Sequence, residues 1–133
     1  MKFKLRFFKQ ETVYSCVPAC LRTVIASFGM EMSEAELRLR CDCTPLGTEA
    51  LIAVDAARQL GFSKTVKCTL TTEELKAQID SDVHPLVFID LLPVEGIKSS
   101  HAVVVEAIAG EPVLVIDPLS GSRLLPRSTF DAA

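Results

Sequence analysis

The sequence predicts an α+β domain in which N-terminal helices pack on a C-terminal antiparallel sheet. Three observations predict it. Apolar residues recur at helical spacing through the first half. Three β-branched runs, PLVFIDL, HAVVVEAIA and EPVLVIDP, follow in the second half, separated by turn signals. The two patterns also do not alternate, which disfavours βαβ units and a parallel sheet.

The elements follow in order. Phe3, Leu5 and Phe7 alternate with Lys2, Lys4 and Arg6, the period of a half-buried strand. Those charges also break the apolar run, so no signal-peptide core forms. Pro18 suits a first helical turn, and Val17, Leu21, Val24, Ile25 and Phe28 continue the helix to a stop at Gly29. Ser33 and Glu36 have capping-box spacing and open a second helix running to about Arg40. Thr48 is expected to cap a third helix carrying Leu51, Val54, Ala57 and Arg58, ended by Gly61. Lys64 to Leu70 reads as a short strand. Thr71 and Glu74 open a fourth helix, TTEELKAQI, which stops before His84-Pro85. After the three strand runs, RSTFDAA reads as the opening of a helix that continues beyond Ala133. The expectation is one domain over residues 1–133, truncated at its C-terminus.

A chain of 133 residues can bury one proper core. Its formal net charge of -3 carries no basic stripe for a phosphate backbone, which argues against a nucleic-acid partner. No segment approaches the roughly 20 apolar residues that span a bilayer. The expected location is therefore the cytoplasm. Five cysteines, Cys16, Cys20, Cys41, Cys43 and Cys68, are an odd number, and nothing points to secretion, so a full disulfide framework is disfavoured.

Cys16 stands at the mouth of the first helix in QETVYSCVPAC. Three roles are open to it: a packing residue, half of a metal or redox pair with Cys20, or a nucleophile. A nucleophile needs a thiolate, a proton acceptor and oxyanion donors. The helix mouth favours the thiolate. His84 precedes a proline and reads as a solvated loop histidine. His101 opens one strand run and Asp117 closes the next, and their midpoint, residue 109, adjoins the turn signal Gly110-Glu111. In an antiparallel hairpin the two would be neighbours within a residue or two of register. A carboxylate so placed fixes the histidine tautomer and stabilises the imidazolium.

Gln10 six residues before Cys16, with HAVVV and VLVIDP late in the chain, resembles the bacteriocin-processing cysteine peptidases. Those are papain-like domains at the front of ABC transporters, where they cleave double-glycine leader peptides. The resemblance covers nearly the whole chain, including SEAELRLRCDCTPLGTEALIAVDAARQLGF. It implies a papain-like fold with Cys16 as nucleophile, His101 as general base and Asp117 as its orienting partner. The Gln10 amide and the Cys16 backbone N–H would form the oxyanion hole. It implies a free-standing member of the family that acts on a peptide or protein substrate and can associate with a transporter; no cofactor or metal is expected. Ser15 and Val17 depart from the acidic or Asn residue and the small residue usual beside the cysteine, and Val17 is expected to narrow the approach to the thiol. Two rival readings stand beside this one. One is a catalytically silent papain-like domain that binds a peptide in the same cleft. The other is a zinc or redox module built from Cys16, Cys20, Cys41 and Cys43, although Cys-x-Cys falls short of the usual ligand spacing. Oligomeric state and cleavage sequence are not encoded in any of these features.

Overall fold

The structure, a computed structural model, describes residues 4–133. Helix α1 spans Cys16–Ser27, α2 Glu34–Arg40, α3 Ala50–Gln59 and α4 Thr72–Asp80. Strand β1 (Leu86–Asp90) leads through a single turn, α5 (Leu92–Glu95), to β2 (Ser100–Ile108). Then come β3 (Pro112–Asp117), β4 (Gly121–Pro126) and α6 (Arg127–Ala132). The four strands form one antiparallel sheet in the order β1-β2-β3-β4.

Alternation along the central strands places apolar side chains on both faces. Val103, Val105, Val113 and Val115 meet Leu75 of α4 and Phe130 of α6 on one side. Ala102, Val104 and Ile116 meet Val17 and Cys20 of α1 and Leu5 on the other. A sheet covered on both sides reads as a continuous apolar run, which is why residues 102–105, AVVV, carry no polar side chain. Beyond α1 lies a further helical layer. Leu21 and Ile25 pack with Leu37 of α2, Cys41, and Ala56 and Ala57 of α3.

Local chemistry sets the helix limits. Gly29, at φ 85°, lets Met30 N–H reach Ile25 O at 3.1 Å, closing α1 where Gly29 predicts. Ser33 accepts from the Glu36 amide at 3.2 Å. Thr71 and Glu74 form a reciprocal capping box on α4. Several expectations fail. Thr48 does not cap α3: Glu49 holds that position, and Thr48 Oγ1 is buried without a hydrogen-bond partner among the described residues. Leu51 is exposed, while Ala57, as expected, and Ala56 face the core.

Residues 64–70 form no strand. Val66 and Leu70 are exposed, and no neighbouring edge pairs with the segment. The N-terminal alternation does not become a strand either. Leu5 is buried while Phe7 is half-exposed beside Gly121, and Phe3 and Lys2 lie outside the described residues. Strand β4 carries no long apolar run and was not expected from the pattern. Pairing with β3 creates it, from Pro112 opposite Pro126 to Asp117 opposite Gly121.

Candidate active site

Cys16 is the first residue of α1. Packing of Val17 and Cys20 onto the sheet sets it there, and Cys20 Sγ–H points to Ala102 O at 3.4 Å. The start of α1 therefore lies against the start of β2, where His101 stands. Ser15 is the N-cap residue but does not cap. Its hydroxyl turns back to Thr12, donating to Thr12 O at 3.2 Å and accepting from Thr12 N–H at 3.1 Å. The first-turn amides of α1 thus have no side-chain cap, and the Val17 N–H turns to the Cys16 sulfur.

His101 is buried, and its Nε2 lies 2.8 Å from Asp117 Oδ1. That leaves Nδ1 for the Cys16 thiol, with which the ring is also hydrogen-bonded. The register explains the juxtaposition. Val104 lies opposite Ile116, so Asp117 is level with residue 103, two places from His101. A bulge between Val105 and Ala107 shifts the pairing by one residue, which a count centred on residue 109 does not see. Asp117 is held at both oxygens. Oδ1 also accepts from Leu119 N–H at 2.9 Å, and Oδ2 faces Arg123 Nη1 at 3.3 Å. Arg123 is in turn paired with Glu95 of α5 at 2.8 Å. Neither Arg123 nor Glu95 stands out in the sequence, since β4 and α5 themselves do not.

These contacts shift the protonation of all three groups. Burial pushes the Cys16 thiol up, but hydrogen bonds from His101 and the Ala102 amide, the His101 charge and the Val17 amide outweigh it, leaving the thiol below 9.0. Burial works against the His101 cation, yet hydrogen bonds to Asp117 and Cys16 and their charges raise it from 6.5 to about 9. Burial likewise opposes the Asp117 anion, and His101, the Leu119 amide and the Arg123 charge hold its carboxyl below the ordinary value. The arrangement favours a thiolate–imidazolium pair with an ionised carboxylate behind it.

Gln10 is buried on the loop before α1. Its backbone N–H donates to Pro118 O at 2.8 Å, tying it to the residue after Asp117. Its side-chain Nε2 donates to Thr12 O at 2.7 Å, which leaves one N–H free to donate elsewhere. Oε1 is buried with no hydrogen-bond partner among the described residues. Cys16, His101 and Asp117 are thus brought together directly, and Gln10 is joined to them through Thr12, Ser15 and Pro118.

Other expectations need correcting. Val17 is only 3% exposed and belongs to the core cluster on the sheet, so it does not narrow the approach to the thiol. His84 is not a solvated loop histidine. It is half-buried, with Nδ1 3.3 Å from Val105 O and Nε2 3.5 Å from Asp82 Oδ1. Val105 is four residues along β2 from His101, about 13 Å, so His84 serves the far end of the strand. Cys20 and Cys41 are buried and Cys43 lies with its sulfur 3.8 Å from Tyr14 O. Among the described residues no group of three or more His, Cys, Asp or Glu is placed to hold a metal ion.

Comparison with known proteins agrees with the resemblance. The fold is similar to that of the peptidase domain of Streptococcus ComA, a bifunctional ABC transporter involved in a quorum-sensing pathway. The TM-score is 0.79 at 24% identity, over 98% of this chain and 90% of that one. It is also similar to a double-glycine-motif protease from an AMS/PCAT transporter, solved in complex with a leader peptide. Here the TM-score is 0.65 at 19% identity, over 98% of this chain and 85% of that one. No curated protein sequence matches significantly. No helix among the described residues is long and apolar enough to cross a membrane. The sequence matches the peptidase C39 family over residues 4–133, so the chain belongs to that family.

Proposed function

We propose that this chain is a cysteine endopeptidase that cleaves leader peptides after a pair of small residues. The observation that carries the reading is His101, hydrogen-bonded on one side to the helix-mouth Cys16 and on the other to the buried Asp117. In this reading the Cys16 thiolate attacks the scissile carbonyl carbon. The carbonyl oxygen takes up the negative charge and is met by the Cys16 backbone N–H and the free N–H of the Gln10 amide. The imidazolium of His101 gives its proton to the leaving amine, and the C–N bond breaks to leave a thioester on Cys16. Water then attacks the thioester, its proton passing to the now neutral His101; the C–S bond breaks, the acid product leaves, and the thiolate–imidazolium pair is restored. Asp117 holds the imidazole in the tautomer with Nε2–H toward the carboxylate and balances the cation.

A synthetic peptide with a Gly-Gly junction, incubated with wild type and with Cys16→Ala, tests this by mass spectrometry. Cleavage after the glycine pair by wild type alone is the expected result. Binding of the peptide without cleavage would identify a silent peptide-binding domain, and neither binding nor cleavage would remove the leader-peptide assignment.

A further inference from the structure

Helix α2 lies outside the site, yet it carries an ionisable group buried more completely than any in the site. Glu34 is 0% exposed. A carboxylate so buried must find partners, and it has two. Arg38, one turn on, donates to Oε2 at 2.9 Å, and the backbone N–H of Glu11 donates to Oε1 at 2.9 Å. The second bond reaches across 23 residues to the loop that carries Gln10.

That loop has no regular structure, yet its successive amides are each tied to a different element. Gln10 N–H goes to Pro118 O beyond β3 at 2.8 Å, Glu11 N–H to Glu34, and Thr12 N–H to Ser15 Oγ at the α1 cap at 3.1 Å. The Glu11 carboxylate adds longer contacts to Arg38 at 3.7 Å and Arg22 at 3.8 Å. Thr12 O in turn receives the Gln10 side-chain amide. Of the three backbone anchors, Glu34 is the only charged one and the only one that comes from outside the sheet and α1.

We propose that Glu34 is a positioning residue: its buried carboxylate holds the Gln10–Thr12 loop, and with it the Gln10 amide, in place beside Cys16. Its catalytic consequence rests on Gln10 acting as an oxyanion donor, as read above. Glu34 touches neither substrate nor the reacting atoms. Its loss leaves the Cys16–His101 contact standing and blurs the direction of one donor. Outright loss of such a donor costs on the order of 10²–10³ in kcat, and a misplacement of about 1 Å costs roughly 10².

The test uses Glu34→Ala and Glu34→Gln in the full chain, with three readouts. Glu34→Ala should speed hydrogen exchange of the 10–13 amides and lower kcat for the Gly-Gly peptide by about 10- to 100-fold at nearly unchanged KM. The pH profile of Cys16 alkylation, which does not depend on the oxyanion donors, should match wild type. Glu34→Gln, which keeps an acceptor for the Glu11 amide, should recover part of both losses. If Glu34→Ala does not fold, Glu34→Gln with Arg38→Met removes both charges together and is read in the same way. Unchanged exchange in the 10–13 amides overturns the proposal. So does a fall in turnover that tracks a shifted alkylation profile, which would mean that Glu34 acts through the fold as a whole. If wild type cleaves no Gly-Gly peptide, the proposed function fails, while the exchange measurement still decides whether Glu34 holds the loop.

Discussion

Replacing His101 with alanine should return Cys16 to ordinary thiol behaviour. Burial, the largest influence on this thiol, raises it. Four contributions lower it: the His101 hydrogen bond, the Ala102 amide, the His101 charge and the Val17 amide. Alanine removes the first and third of these and leaves the burial. A thiol that titrates at its reference value of 9.0 is about 1% thiolate at pH 7. In His101→Ala the alkylation rate at pH 7 should therefore be roughly one hundredth of that variant's own alkaline plateau. The partner group sets the scale of the effect in the native protein. His101 is raised from 6.5 to about 9, which at 1.36 kcal/mol per pH unit is about 3 kcal/mol of preference for the imidazolium. The ion pair then spans the interval from the lowered Cys16 value up to about 9. Iodoacetamide, which is uncharged, is the reagent of choice, with Cys16 modification followed by mass spectrometry from pH 5 to 10.5. Wild type should retain a far larger share of its plateau rate at pH 7 than the variant does. Equal shares in the two proteins would refute the reasoning.

Four further outcomes follow from the same contacts. The raised His101 stabilises the fold below 6.5 and loses that contribution as pH rises toward about 9; the lowered Cys16 does the opposite, contributing above 9.0 and losing it as pH falls. Where both operate, the folded state has gained one proton and lost one, so denaturant midpoints should be nearly flat in wild type but fall with rising pH in Cys16→Ala. Arg123→Met removes the cation at Asp117 Oδ2 and should lower turnover, though less than Asp117→Asn does, with Arg123→Lys between Arg123→Met and wild type; a wild-type rate in Arg123→Met would show that turnover does not depend on this contact. Val17→Ala should cost stability, about 1–3 kcal/mol by denaturant unfolding, while leaving KM for the peptide unchanged, since Val17 faces the sheet. Cys41→Ser puts a hydroxyl into the apolar cluster around Leu37 and should destabilise by about 1–3 kcal/mol, whereas Cys43→Ser should be close to neutral.

The elements legible in the sequence are those whose signal is local. The capping box of Thr71 and Glu74 and the stop at Gly29 need only their own neighbours, and they stand where the pattern puts them. The runs that became β2 and β3 are largely buried and read as apolar, and the edge strand β1, where only Ile89 is buried, reads as apolar too. Strand β4 alternates weakly, with Ser122 exposed and Arg123 half-buried, so pairing with β3 rather than composition creates it. The segment at 64–70 is the converse case: strand-like composition without an edge to pair with. Within the site, the nearness of His101 and Asp117 was readable because a hairpin maps sequence symmetry onto space, although the bulge at Glu106 offsets the register.

The orientation of Val17 was also within reach. One residue on from Cys16 the helix has turned by about 100°. Val17, Cys20 and Val24, at i, i+3 and i+7, form the stripe that meets the sheet. The β-branched residue after Cys16 is then a core residue and faces the sheet. Glu34 was out of reach for a different reason. Glu34–Arg38 and Glu36–Arg40 are both i,i+4 pairs on one helix, identical in spacing and residue type. Only the approach of the 10–12 loop distinguishes them. It buries the first pair completely at its carboxylate and leaves the second at the surface. Surface pairs of this kind contribute little, so a sequence pattern that cannot tell the two apart assigns both the smaller role. The difference between a decorative ion pair and one that aims a donor lies in a backbone N–H that neither pattern contains.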